Sequence, residues 1–203
     1  MTTTAFQWIF DHAESILINK RAIVAQTISR DQTVRTVSRG GQVWRFNVQV
    51  PNGIPWTESR RYIEAIDSAD KFTVGTIQIN NPGYASWFTG YQGDGSGFTA
   101  TWTQGQTSIT LTAGTAATYK FRAGDLIQLG TTGHVYTAAT DVAAGATVVT
   151  LNRPILDATG SDTLIYGPNC TFNLHCTVMP DWSIFQRNQV SWTGAFSFVE
   201  AIV

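Results

Sequence analysis

Alternating apolar and polar residues predict strands in the first part of the chain and near its carboxyl-terminal end. Between Val43 and Val50, large apolar residues occupy every second position, the pattern of a half-buried strand. The same alternation predicts strands at Thr171–Val178 and Ala195–Ala201. Lys71–Ile79 is a further strand, and its apolar residues change parity at Gly75. That change predicts a β-bulge at the glycine.

One segment, Thr57–Ala69, has the spacing of an amphipathic helix. Its apolar residues form a single stripe, Thr57 is a suitable N-cap, and Glu58 suits the first turn. Two further strand candidates, Ile23–Ile28 and Thr33–Val37, precede this helix and are separated by a polar turn. The first part of the chain is therefore predicted to combine strands with one helix.

The middle of the chain has a different pattern. Between Gly95 and Asn152 only four residues are charged, and short alternating runs are separated by glycine-containing turns. Short strands at this spacing are typical of a small sandwich or barrel. The preceding glycine-rich segment 90–97 is interpreted as a flexible domain connector.

These patterns predict a mainly β fold with two parts. Residues 1–93 and 168–203 form an α+β platform with one flanking helix, because the pattern of the first part returns near the end of the chain. Residues 94–167 form a small β-barrel or sandwich module inserted into that platform. An insertion of this kind is tolerated where its two ends meet at an exposed loop of the host.

Composition changes the picture through charge. Charged residues make up 13% of the chain, against roughly a quarter in ordinary soluble domains, and 29 threonines replace them. A surface with little charge favours burial against neighbours in an assembly, although a plain threonine-rich β-domain fits composition equally well. The net charge of −1 indicates no specific nucleic-acid partner. No apolar run is long enough to be a membrane anchor, and the first residues do not form a signal peptide.

The residues that could carry chemistry predict no catalytic, cofactor or metal site, and hence no enzyme. Cys170 and Cys176 are roughly 20 Å apart on a regular strand, too far for a disulfide, and are expected to be free, buried thiols. His175 and Cys176 point to opposite faces of such a strand, which argues against a shared zinc ion. Segment 90–97 lacks the Gly-Lys-Ser/Thr sequence of a phosphate loop.

Aromatic residues are the stronger candidates for function. Five of them lie in segments interpreted as loops or extended arms: Trp8, Trp87, Phe88, Tyr91 and Trp182. Exposed aromatic rings in such places mark protein–protein contacts or a sugar-binding platform. They would equally serve to fill the seam between platform and module.

Four segments in this order resemble minor structural proteins of tailed bacteriophages, namely distal tail and tube-initiator proteins of the tail tip or baseplate. The similarity spans nearly the whole chain and is greatest over Thr33–Tyr84 and Phe121–Val199. It is one of segment order and style. The segments are TVRTVSRGGQVWRFNVQVPNG, WTESRRYIEAIDSADKFTVGTIQINNPGY, FRAGDLIQLGTTGHVYTAATDVAAGATVVTLNRPI and NQVSWTGAFSFVEA.

That resemblance implies a virion protein, made and assembled in the host cytoplasm, with a tail-tube-like fold. The helix would flank sheets that close with neighbouring copies into a six-fold ring, or less often a three-fold one. Such a ring joins the tail tube to the hub, lets the genome pass through its lumen, and turns the module towards other baseplate or fibre proteins. Relatives of this type use a long hairpin for subunit contact. Thr33–Val50 is the candidate here, with Arg35 and Arg39 as further interface residues.

Two other functions remain open from the sequence. A receptor- or carbohydrate-binding module of the virion would use aromatic rings of the inserted module to stack on sugars. A cell-wall hydrolase is the third possibility, and it would require a catalytic carboxylate.

Overall fold

The computed structural model describes residues 3–21, 24–28, 34–38, 42–69, 73–80, 85–185 and 187–202. The fold is mainly β, with a sheet that curls into a half-barrel. The helical elements in this part are α1 (Thr3–Asp11), α2 (Trp56–Ser68), a π-helical turn at Ala85–Thr89 and a 3-10 turn at Gly167–Asn169. The strands in chain order are β1 (Ser15–Asn19), β2 (Val24–Ile28), β3 (Val34–Ser38), β4 (Arg45–Gln49), β5 (Ile54–Pro55), β6 (Val74–Gln78), β7 (Ser96–Trp102), β8 (Ser108–Thr115), β9 (Tyr119–Phe121), β10 (Leu126–Leu129), β11 (Val135–Thr137), β12 (Val142–Ala143), β13 (Val148–Thr150), β14 (Gly160–Tyr166), β15 (Thr171–Val178), β16 (Trp182–Phe185), β17 (Gln189–Trp192) and β18 (Phe196–Glu200).

A five-stranded antiparallel sheet contains the four strands predicted at Val43–Val50, Lys71–Ile79, Thr171–Val178 and Ala195–Ala201. Its order is β1-β4-β18-β15-β6, so two strands from the end of the chain lie between strands from its beginning. Alternate residues of β4 and β15 are buried, as their sequences predict. Val178 is an exception. The pairing of β15 with β18 shifts register between Cys176 and Val178, and the valine is half exposed.

Both α-helices cover one face of this sheet. Phe6, Ile9 and Phe10 of α1 are fully buried, and the ring of Phe10 lies 5.0 Å from that of Phe198 in β18. Helix α2 contributes Ile63 and Ile66 to the same core. Helix α1 corrects two expectations from the sequence, namely a loop or extended arm around Trp8 and a single flanking helix.

Helix α2 begins one residue before the predicted N-cap. Pro55 occupies the capping position instead of Thr57, and no side chain caps the helix. Strand β5 fixes Pro55 by pairing it with Gln189 of β17. The first free backbone N–H of the helix, at Trp56, donates to the carbonyl oxygen of Asn188. Tertiary contacts therefore replace the capping side chain.

The predicted β-bulge at Gly75 is wrong. Strand β6 pairs with β15 in unbroken register from Val74 to Gln78. The apparent change of parity arises because Val74 is an apolar residue on the exposed face of the sheet. Gly75 lies on the helix-covered face, where a Cβ atom would come within 2.7 Å of the Phe6 ring. The glycine is there to let α1 approach the strand.

The middle of the chain forms a second group of strands with its own core. Six of them make an antiparallel sheet in the order β11-β10-β14-β7-β8-β13, and β9 pairs with β12 beside it. Its core is a cluster of fifteen buried residues between Phe98 and Leu164. The assignment of this region as an inserted domain stays a prediction.

Candidate assembly surface

Four of the predicted interface aromatics are packed into the protein. Trp8 is 5% exposed and stacks between His12 and Tyr62, with ring centroids 4.5 and 5.0 Å away. Trp182 stacks on Trp56 at 5.1 Å, and its indole N–H donates to Asp67. The expectation of an extended arm at Trp8 failed because the segment is helix α1.

The other two packed rings, Phe88 and Tyr91, lie along the seam between the two cores. Phe88 is half-buried against Trp44 and Phe172 of the platform. Tyr91 contacts Phe121 in the second core, and its hydroxyl donates to the carbonyl of Lys120. Burial raises the pKa of Tyr91 to about 12. Phe88 and Tyr91 therefore lie where the alternative interpretation expected them, at the seam between platform and module.

Trp87, Arg35 and Arg39 are the remaining interface candidates, and the structure describes them to different extents. Trp87, in the π-helical turn, is 80% exposed. Arg35 lies in β3, whose backbone is described, and Arg39 lies outside the described residues. Of the seven candidates, Trp87 is thus the one whose side chain is shown to face solvent.

The glycine-rich segment before β7 is fixed to the module. Asp94 accepts hydrogen bonds from the backbone N–H groups of Ala117, Thr118 and Tyr119, at 2.7 to 3.3 Å. Desolvation raises the pKa of Asp94, but these hydrogen bonds outweigh it and the pKa is lowered. The segment is therefore hydrogen-bonded to the β8–β9 loop through its own carboxylate, and its role as a flexible connector stays a prediction.

A buried ion pair joins the two parts of the fold. Arg153, which follows β13, holds Glu200 of β18 through two parallel hydrogen bonds of 2.5 Å. Both side chains are 2–3% exposed. The ring of His134 lies 3.1 Å from the same carboxylate, and the backbone N–H of Trp44 donates to it. The carboxylate is therefore almost fully satisfied by hydrogen bonds.

The surroundings of Glu200 favour its charged form. Burial raises its pKa, but hydrogen bonds from Arg153 and His134 and the positive charge of Arg153 lower it further than burial raises it. Trp44 adds a neutral link, because its indole N–H donates to the carbonyl of Val135 at 2.7 Å. A junction of this kind holds the module in one orientation on the platform.

The hairpin predicted at Thr33–Val50 does not form. Strand β3 pairs with β2, in register from Val24 opposite Ser38 to Ile28 opposite Val34. Strand β4 pairs with β1 and β18, so Thr33–Val50 is not a hairpin and that prediction is wrong. Within the described ranges, β2 and β3 form a two-stranded sheet that joins no other sheet.

The chemistry of the described residues adds no further site. Cys170 and Cys176 are free and buried as predicted, and burial raises the pKa of Cys176 to about 12. No three metal-ligating side chains cluster in the described ranges, and no described helix is long and apolar enough to cross a membrane. No protein-family model and no curated protein matches the chain. The features of the described residues with a candidate binding role are the unjoined β2–β3 hairpin, the β1 edge of the five-stranded sheet and the exposed ring of Trp87.

Proposed function

We propose that this protein is a structural subunit of a phage tail tip or baseplate. In this proposal copies of the chain assemble into a ring that connects the tail tube to the hub and to peripheral baseplate or fibre proteins. The observation that carries the proposal is the β2–β3 hairpin, which pairs with no other sheet in the described chain.

A hairpin of two five-residue strands is marginal by itself in water. Its outer backbone N–H and C=O groups pair with no further strand among the described residues, and such groups can bind a strand of another chain. A contact between the hairpin of one copy and a different surface of the next is heterologous, and contacts of this kind form a ring when the rotation between copies closes. Assembly thus supplies the partner that the monomer lacks.

The uncovered face of the five-stranded sheet suits the lumen of such a ring. It lies opposite the helices and carries small polar side chains such as Asn47, Thr76 and Ser197, of which Asn47 and Ser197 line a groove of about 370 Å³. Arg45 is the one lysine, arginine, aspartate or glutamate that this face presents from the five described strands. A nearly neutral wall lets DNA pass without binding it.

Labelling in the electron microscope tests the location. Antibody and gold particles applied to the parent phage should mark the tip of the tail. Absence of the chain from purified particles would contradict the proposal outright.

Light scattering tests the role of the hairpin. Full-length protein should reach the mass of a closed ring with rising concentration, or on addition of its hub partner. A variant in which residues 24–38 are replaced by a short Gly-Ser linker should stay small under the same conditions. A linker variant that assembles as well as the wild type would remove the hairpin from the mechanism.

One observation favours the alternative of carbohydrate binding. Trp87 presents a ring that is 80% exposed, and such a ring can stack on a sugar. The aromatics of the module offer no comparable platform, since Phe98, Phe121 and Tyr136 are in its core. Saturable binding on a glycan array by the monomer, lost in Trp87→Ala, would support the alternative.

A further inference from the structure

The two edges of the five-stranded sheet differ in how they are protected. At the β6 edge, the side chain of Gln7 in α1 accepts a hydrogen bond from the backbone N–H of Gln78 at 2.9 Å. It also donates to the carbonyl of Gln78 at 2.8 Å. The Gln7 amide thereby imitates the backbone of a neighbouring strand and blocks this edge.

The opposite edge, β1, has no such cover. Within the described residues only β4 pairs with it. The strand SILIN contains no proline, charge or register shift, which are the usual ways of blunting an edge. Leu17 at its centre is 66% exposed. Hollows of about 370 and 450 Å³ adjoin the strand, which is the form of a site for strand addition.

The sequence of β1 is complementary to itself when two copies of the strand run antiparallel. Taking Leu17 as the centre, Ile16 mirrors Ile18, and Ser15 mirrors Asn19. Beyond them an acid mirrors a base, since Glu14 precedes the strand and Lys20 follows it. Two antiparallel copies would therefore place Leu17 opposite Leu17 and each Glu14 opposite a Lys20.

We infer that β1 is a self-pairing edge through which two copies of this chain join around a two-fold axis at Leu17. The two platform sheets then form one sheet of ten strands. Backbone hydrogen bonds hold the pair, the isoleucines extend both cores, and the Glu14–Lys20 pairs fix the register. A two-fold contact of this kind is self-complementary.

Both ends of the edge have capacity for the added ion pairs. Neither Glu14 nor Lys20 makes an ion pair within the described part of the protein. The Lys20 ammonium lies 5.1 Å from the centre of the Trp44 ring and donates one hydrogen bond, to the Thr137 hydroxyl at 2.8 Å, so two of its three protons have no hydrogen-bond acceptor among the described residues. Burial and the charge of Arg153 lower the pKa of Lys20, so an approaching acid would relieve an unfavourable site.

The two-fold contact does not depend on the proposed ring. A two-fold operation cannot close a six-fold ring, so the β1 contact would pair two rings or two free copies. The dimer and the ring can accordingly fail separately in experiment.

Disulfide trapping tests the register. Residues opposite each other in an antiparallel pair have Cα atoms about 4.5–5.5 Å apart, within disulfide range. Mild oxidation of full-length Leu17→Cys should give a covalent dimer that reduction reverses. Val178→Cys, half exposed on a different strand, should stay monomeric under the same conditions. The native thiols are buried and should not interfere.

A mixed experiment makes the register unambiguous. Ser15→Cys and Asn19→Cys should each give little dimer alone but should cross-link when combined. Absence of the Leu17→Cys dimer, or equal cross-linking by Val178→Cys, would overturn the inference.

Sedimentation measures the association without a cross-link. Leu17→Lys keeps an exposed side chain exposed, so the fold should survive, but it places two like charges at the axis. The dimer should dissociate at least about tenfold more readily than the wild-type dimer. An unchanged dissociation constant in a folded Leu17→Lys variant, or a wild type that stays monomeric at millimolar concentration, would refute self-pairing.

Discussion

At the scale of single residues, the absence of a side chain can matter as much as its presence. Gly75 lies beneath the ring of Phe6, and this close approach seats α1 on the sheet. The sequence predicted something special at Gly75 but assigned the wrong cause. An exposed valine and a bulge produce the same change of parity in the sequence, and the unbroken pairing of β6 with β15 separates them.

Replacing Gly75 by alanine should therefore destabilise the protein. The new Cβ would come 2.7 Å from the Phe6 ring, and overpacking of this kind costs about 1–3 kcal/mol. Urea unfolding measures the loss. Gly145→Ala is the matched control, because its Cβ would meet open space and should leave stability unchanged or slightly higher. Equal effects of the two substitutions would contradict the packing role.

At the scale of elements, short segments held by tertiary contacts were the hardest to predict. Helix α1 has only nine residues, with no acidic residue in its first turn and no basic residue in its last turn. The spacing of Phe6, Ile9 and Phe10 was the available signal, and it is too short to separate a helix from an apolar arm. Strands β4 and β15 were predictable because their alternation is long and regular.

The connector before β7 offers a test at this scale. Asp94→Ala removes the acceptor for three backbone N–H groups. Hydrogen exchange at Ala117, Thr118 and Tyr119 should become faster, because local opening no longer has to break those hydrogen bonds. Mass spectrometry or NMR would show it. Asp162→Ala, another exposed acid, should leave these amides unchanged, and protected amides in Asp94→Ala would show that the carboxylate does not hold the loop.

At the scale of the whole molecule, one ion pair sets how the two parts meet. Arg153 and Glu200 are 47 residues apart in sequence, and neither has a local pattern that points to the other. Alternation predicts where strands lie in the sequence, but it does not predict which strands pair with each other. The positions of β15 and β18 inside the sheet could therefore not be predicted from the sequence either. For the same reason the hairpin partner of β3 was assigned wrongly.

Glu200→Gln should be strongly destabilising. It leaves the buried guanidinium of Arg153 without a counter-charge, and breaking one side of such a pair costs about 3–5 kcal/mol. Thermal and urea unfolding should show the loss. Arg122→Gln breaks an exposed pair with Asp141 and should have a much smaller effect. A loss no greater than that of the control would mean that the junction contributes little.

The Arg153–Glu200 pair should also make the stability of the protein depend on pH in the acidic range. The pKa of Glu200 is lowered from its ordinary value of 4.5, so its contribution is fully present above that pH. The contribution is lost as the pH falls through the lower pKa of the folded state. The difference in melting temperature between wild type and Glu200→Gln should hence be constant near neutral pH and shrink below about pH 4. A difference that stays constant down to pH 3 would contradict this.

The order of strands in the five-stranded sheet also has a consequence for biosynthesis. Its central strands, β18 and β15, come late in the chain, between partners made much earlier. During synthesis, β1, β4 and β6 thus leave the ribosome well before β15 and β18, which lie between β4 and β6 in the sheet. In the meantime, residues between Phe98 and Leu164 can already fold around their own core. Non-local pairing of this kind is slow. Nascent chains should consequently depend on chaperones until residue 200 has emerged.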